Sequence, residues 1–150
     1  MKTLIEKAYA LALEELKNNW KELPGGASNP RILKAYSAVD GLGDPKDLDD
    51  STTSWCSVLM NWLIQSVGGK GTRSALARSW LKWGKECYPV QGCIVVFKRG
   101  DSEWQGHVAF FVKREGEFIW CLGGNQQDNF KMSKYKASDV LGFRTSKDTI

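Results

Sequence analysis

The chain has 150 residues, 42% of them hydrophobic, 25% charged and 11% aromatic. That is the profile of a single globular domain, here spanning 1–150, rather than of a disordered chain. No apolar run approaches the ~20 residues that a bilayer span requires, so membrane insertion is excluded. The charged start Met1-Lys2-Thr3-Leu4-Ile5-Glu6-Lys7 lacks the apolar stretch of a standard secretory signal. The balance of 21 Lys+Arg against 17 Asp+Glu leaves a net charge of +4. This scattered basic excess suits an anionic polymer but builds no aromatic-basic module for nucleic acid.

In chain order, Leu4, Ile5, Ala8, Leu11, Ala12 and Leu16 share one face at helical spacing, and Thr3 with Glu6 forms a capping box. That helix should stop near Asn18 or Asn19, before Leu23-Pro24-Gly25-Gly26. A second helix should begin with Asn29 as N-cap and Pro30 at the first helical position, burying Ile32, Leu33 and Tyr36. Residues 40–54 are polar and turn-rich and read as a long loop. The third helix runs from Trp55 to Val67, capped by Ser54 and stopped by Gly68-Gly69. Its apolar residues occupy more than one face, so it is central. A fourth, short helix is expected from Ser74 to Trp83.

After Gly84 the period changes from 3.6 to 2. Strands are predicted at Cys93–Phe97, His107–Val112, Glu117–Leu122 and around Val140–Arg144, with Lys113–Gly116 as a hairpin connection. Helices first and strands second define an α+β fold with helices packed on a small antiparallel sheet.

The cysteines are Cys56, Cys87, Cys93 and Cys121, with no CxxC pair, and His107 is the only histidine. A structural zinc site is therefore not expected, and reduced thiols are the default. Cys56 differs from the other three because it opens the central helix. First-turn N–H groups lack intrahelical partners, and the helix dipole favours a thiolate there. The same N–H groups can hold an oxyanion.

The base for such a nucleophile has to be His107. If Glu115-Gly116 is a two-residue turn, His107 faces Gly124, and a one-residue slip puts it opposite Asn125. In either register the Asn125 amide is placed to accept the imidazole Nδ1–H and leave the other nitrogen for the thiol. Cys56, His107 and Asn125 are thus the candidate catalytic residues. The alternative for each is ordinary packing.

Several segments in order resemble one family. They are Asn29-Pro30-Arg31-Ile32 with Tyr36, Trp55-Cys56-Ser57, Asn61-Trp62, Ser74 to Leu81, Ile94 to Gly100, Gly106-His107-Val108 and Leu122-Gly123-Gly124-Asn125-Gln126. The family is the phage-associated branch of the NlpC/P60–CHAP cysteine peptidases and amidases, and the resemblance runs from about residue 24 to residue 144. It implies a papain-like α+β core, a Cys-His-polar triad and cleavage of amide bonds in bacterial peptidoglycan. Carried over, Cys56 resembles the nucleophile, His107 the general base and Asn125 the orienting residue. Trp55 precedes the nucleophile as in relatives and either lines the substrate groove or anchors the helix start.

Trp104, in the loop before His107, and Trp120, in the strand leading to Asn125, are further substrate-binding candidates. Gly123 stands where CHAP relatives often have Glu, and Cys93 where they usually have Asp. Asp47 and Asp49 resemble part of a CHAP calcium loop, but Asp50 replaces the glycine that follows. No cofactor is therefore required, with calcium at Asp47 and Asp49 the one option.

The resemblance implies an endolysin-like peptidoglycan hydrolase, either an N-acetylmuramoyl-L-alanine amidase or an endopeptidase. It would be a monomer, made in the host cytoplasm and acting on the wall after release. A secreted antibacterial effector of the same fold would have a very similar sequence. The competing readings are a catalytically inactive wall-binding or phage structural protein of the same fold, and a Cys-His acyltransferase or protease with a non-wall substrate.

Overall fold

The computed structural model describes residues 2–18, 20, 29–41, 55–126 and 129–148, the side chain of Asn125 excepted. Helix α1 covers Leu4–Glu15, and Thr3 and Glu6 cap each other reciprocally at its start. Helix α2 covers Pro30–Ala35, and the Asn29 side chain accepts from Arg31 N at 2.9 Å. A 3-10 turn at Tyr36–Ala38 follows directly. Helix α3 covers Cys56–Ser66, with Trp55 in the N-cap position. The Leu23–Gly26 turn, the 42–54 loop, the Ser54 cap, Asp47 and Asp49 lie outside the described residues.

The helix expected over Ser74–Trp83 is only a 3-10 stretch at Ala77–Lys82. Its first turn fails because the Ser74 carbonyl is already taken. It accepts from Ser57 Oγ at 2.7 Å and from Asn61 Nδ2 at 3.2 Å, both on α3. Leu76 is extended as a consequence, with φ −80° and ψ 124°.

Six strands follow: β1 (Lys85–Glu86), β2 (Ile94–Lys98), β3 (Gly106–Glu115), β4 (Phe118–Gln126), β5 (Asn129–Lys136) and β6 (Val140–Thr145). They form one sheet in the order β1-β6-β2-β3-β4-β5, and every neighbouring pair is antiparallel. The protein is α+β. Strands β1 and β5 were absent from the sequence reading. The first is two residues long, and the second carries Lys131, Ser133 and Lys134 between its apolar residues. A sheet edge tolerates such a strand because it needs only partial burial.

The helices cover one face of the sheet. Ile94, Val96, Val108, Phe110 and Leu122 point to that side and pack with Val58, Leu59, Leu63 and Ile64 of α3. Alternate residues Val95, Phe97, Ala109, Phe111, Ile119 and Cys121 form a second apolar layer on the opposite face. Tyr135 of β5 stacks on Phe97 of β2 at 5.0 Å between centroids, although β3 and β4 intervene in the sheet. The sheet therefore curls strongly around this second layer. Among the described residues no helix is long and apolar enough to cross a membrane.

Candidate active site

Cys56 is the first residue of α3 and is 2% exposed. The start of the helix is tied down by buried polar side chains one and five residues further on. Ser57 Oγ donates to Ser74 O and accepts from Trp80 Nε1 at 2.9 Å. Asn61 Oδ1 accepts from Arg73 N at 2.8 Å. Segment 72–74 is thereby fastened beside the cysteine.

Cys56 lines a small cavity of about 90 Å³ with Ala75, Leu76, Ala77, Arg99, Trp104, Gln105 and Gly106. Leu76 and Trp104 also border a wider groove of about 610 Å³ that continues to Lys82 and Trp83. Trp104, at 62% exposed, stands at the junction of the two. Its loop is pinned by Arg78, whose guanidinium donates to the carbonyls of Ser102 and Gln105.

His107 directly follows Gly106 of that cavity. It is 2% exposed and pairs across the ladder with Phe97. Its ring stacks on Tyr135 at 4.9 Å and more distantly on Phe97 at 6.3 Å. The Tyr135 phenol is pushed up to about 12, chiefly by burial. The imidazole ring thus packs with Phe97 and Tyr135 of the second apolar layer.

The imidazole is held by Gln126. His107 Nε2 lies 2.8 Å from Gln126 Oε1, and the amide is 1% exposed. The other end of the amide, Gln126 Nε2, donates to Lys131 O. A carbonyl can only accept, so the nitrogen must face Lys131 and the oxygen must face His107. His107 therefore carries its proton on Nε2 when neutral. Nδ1 is left as the basic nitrogen, buried and without a hydrogen-bond partner among the described residues.

The sequence reading had Asn125 bonding Nδ1. The structure gives the tether to Gln126 and to the opposite nitrogen. The side chain of Asn125 lies outside the described residues.

The physical reason is a bulge. Near the turn, Glu115 pairs with Phe118, so the turn residues are Gly116-Glu117 rather than Glu115-Gly116. A register shift between Phe111 and Lys113 then brings Phe110 opposite Leu122. Further along, Gly123 pairs with Lys131 and Gln126 with Asn129, so β4 carries one residue more than β5 there. Simple alternation from Ile119 and Cys121 leads to residue 125. The extra residue hands that face to Gln126, whose Oε1 also accepts from Cys121 Sγ at 3.2 Å.

The paired glycines make this bulge possible. A Cβ on Gly123 would come within 2.8 Å of Ala109 Cβ and crowd Gln126 Oε1 at 3.2 Å. A Cβ on Gly124 would strike the Trp55 ring at 2.7 Å and Leu59 at 2.9 Å. Trp55 is wholly buried beneath Gly124, so it anchors the helix start and presents no surface to a groove. Gly124→Ala is expected to cost about 1–3 kcal/mol by overpacking. Thermal unfolding checks it, and a Tm equal to that of the wild type would show that the Trp55 pocket yields freely.

Trp120 lies toward the turn end of the β3–β4 hairpin. It pairs with Lys113, its Nε1 donates to Glu115 Oε2 at 3.2 Å, and Lys134 sits over its ring at 5.5 Å. It is not among the residues that line the Cys56 cavity. The remaining thiols differ from Cys56 in setting. Burial pushes Cys93 up to about 12 and raises Cys121 further, so both stay protonated and pack as small apolar groups. A Gly-Gly pair inside a strand pattern was the available sign of the bulge, and hence of Gln126.

A scan against protein-family models found no match to this chain, and a search of curated proteins found no similar sequence.

Proposed function

We propose that this protein is a cysteine peptidase or amidase of peptidoglycan, endolysin-like, built on a papain-like core of the NlpC/P60–CHAP kind. The observation that carries the reading is the buried imidazole of His107. One nitrogen is fixed by Gln126, and the other is buried with no hydrogen-bond partner among the described residues. A histidine that merely filled the core would be expected to satisfy both nitrogens. The ordered resemblance of Trp55-Cys56-Ser57, Gly106-His107-Val108 and Gly123-Gly124-Asn125-Gln126 to that family adds weight, as does the net charge of +4 toward an anionic wall.

In this mechanism the Cys56 thiol proton passes to His107 Nδ1, and Sγ attacks the carbonyl carbon of a stem amide. The tetrahedral oxyanion is held by first-turn N–H groups of α3. The imidazolium returns its proton to the leaving amine as the C–N bond breaks. Water, deprotonated by the same nitrogen, then releases the acyl group. Gln126 keeps the ring aligned throughout by accepting from Nε2.

The test is solubilisation of purified peptidoglycan by reduced wild type and by Cys56→Ala, with mass spectrometry of the fragments. The wild type is expected to release stem peptides or split cross-links, and the variant to lose roughly 10³-fold or more of that activity. Walls of several chemotypes left intact by folded wild type, with and without calcium, would overturn the reading. The fragment masses name the bond.

A further inference from the structure

We propose that Arg99 is the carboxylate-reading residue of this site, so that the preferred substrate is a peptide with a free carboxylate close to the scissile amide. The proposal rests on the hydrolase reading above for the role of Cys56. The anion site itself can be tested separately.

Three observations carry it. Arg99 supplies the only charged side chain among the described residues that line the Cys56 cavity, the others being apolar or neutral. No described carboxylate lies within ion-pair distance of its guanidinium. By contrast Arg73 is forked onto Asp40, Arg144 faces Glu86, and neighbouring Lys98 reaches Asp139. Nor is it committed to backbone, as Arg78 is with Ser102 and Gln105. Arg99 is exposed in the turn that follows β2.

An uncompensated guanidinium in a half-enclosed cavity matches a planar anion, because its N–H groups meet both oxygens of a carboxylate at once. Position selects the ligand further. The cation shares its cavity with the nucleophile, so the carboxylate it holds must lie near the bond attacked. Trp104, which lines both this cavity and the wider groove, offers an apolar face to the adjoining part of the chain. Peptidoglycan stems carry such carboxylates along a short peptide, and amidation removes their charge without changing their shape.

The experiment uses a pair of synthetic stem peptides, one with free carboxylates and one fully amidated. Binding to full-length Cys56→Ala protein is followed by tryptophan fluorescence, so it does not depend on turnover. The free acid is expected to bind about tenfold or more tighter than the amide. Arg99→Met in the same background should erase that preference by weakening the acid alone, and Arg99→Lys should restore part of it. For the active enzyme the same change should raise KM for the acid while leaving kcat within about threefold.

Equal binding of acid and amide, or an acid preference that survives Arg99→Met, overturns the proposal. If the wild type cuts both peptides alike, the hydrolase reading stands without it. If the acid preference depends on Arg99 but nothing is cut, the anion site stands and the hydrolase reading falls.

Discussion

Gln126→Leu is expected to lower kcat/KM on the wall substrate by roughly 10²-fold or more. Leucine fills a similar volume but accepts nothing. The Nε2–H of His107, the Cys121 thiol and the Lys131 carbonyl would all lose the amide that joins them. Each buried group left unsatisfied costs about 1–3 kcal/mol, so the variant should also unfold at lower temperature.

Gln126→Glu separates the two effects. A carboxylate still accepts from His107 Nε2, so the ring keeps its orientation, while facing Lys131 O with an oxygen disfavours the fold. The expected result is activity well above that of the leucine variant at comparable loss of stability. Full activity in a folded Gln126→Leu protein would mean that the imidazole is positioned by something other than this amide.

The second large effect is expected from Asn61→Leu, on stability rather than chemistry. Asn61 is completely buried. Its Nδ2 donates to Ser57 O, Thr72 Oγ1 and Ser74 O at 3.0, 3.3 and 3.2 Å, and its Oδ1 accepts from Arg73 N at 2.8 Å. Gly71 approaches so closely that a Cβ there would lie 2.1 Å from Oδ1. Arg73 is the one described non-glycine residue with positive φ, at 54°. The Asn61 bond and the fork to Asp40 hold it there, and the Arg73 guanidinium in turn keeps the Asp40 carboxyl below its ordinary range.

Leucine in place of Asn61 would take the acceptor from the Arg73 N–H, leave the Ser74 carbonyl with Ser57 Oγ alone and release the strained turn. The cost should be about 3 kcal/mol or more. For a chain of this size that is a fall in Tm of about 6–12 °C, measurable by calorimetry. A shift below about 2 °C would show that the 71–76 segment is held by packing alone. Because that segment borders the Cys56 cavity, loosening it should also weaken substrate binding.

Much of the fold was legible because local signals acted alone. The Thr3–Glu6 box and the Asn29-Pro30 start specify α1 and α2 through bonds within a few residues of the chain. The short apolar runs Cys93–Phe97, His107–Val112 and Glu117–Leu122 located β2, β3 and most of β4, because a strand buried on both faces is apolar at consecutive positions. The position of Cys56 at the head of a central helix followed from the same pattern.

Where long-range partners competed with local preference, the sequence reading failed. A helix at 74–76 is locally acceptable, but Ser57 and Asn61 take the Ser74 carbonyl from α3. Strand β5 has too few apolar residues to signal itself, and it forms because β4 offers an unpaired edge. Trp55 could have faced a groove or a core, and the space left by Gly124 decided for the core. The presence of a histidine and of two adjacent amides near it was written in the residues. Which amide holds the imidazole, and by which nitrogen, depended on a one-residue bulge at Gly123-Gly124. A shift of one residue exchanges the two faces of a strand, and only pairing with β5 and packing against Trp55 and Ala109 could set it.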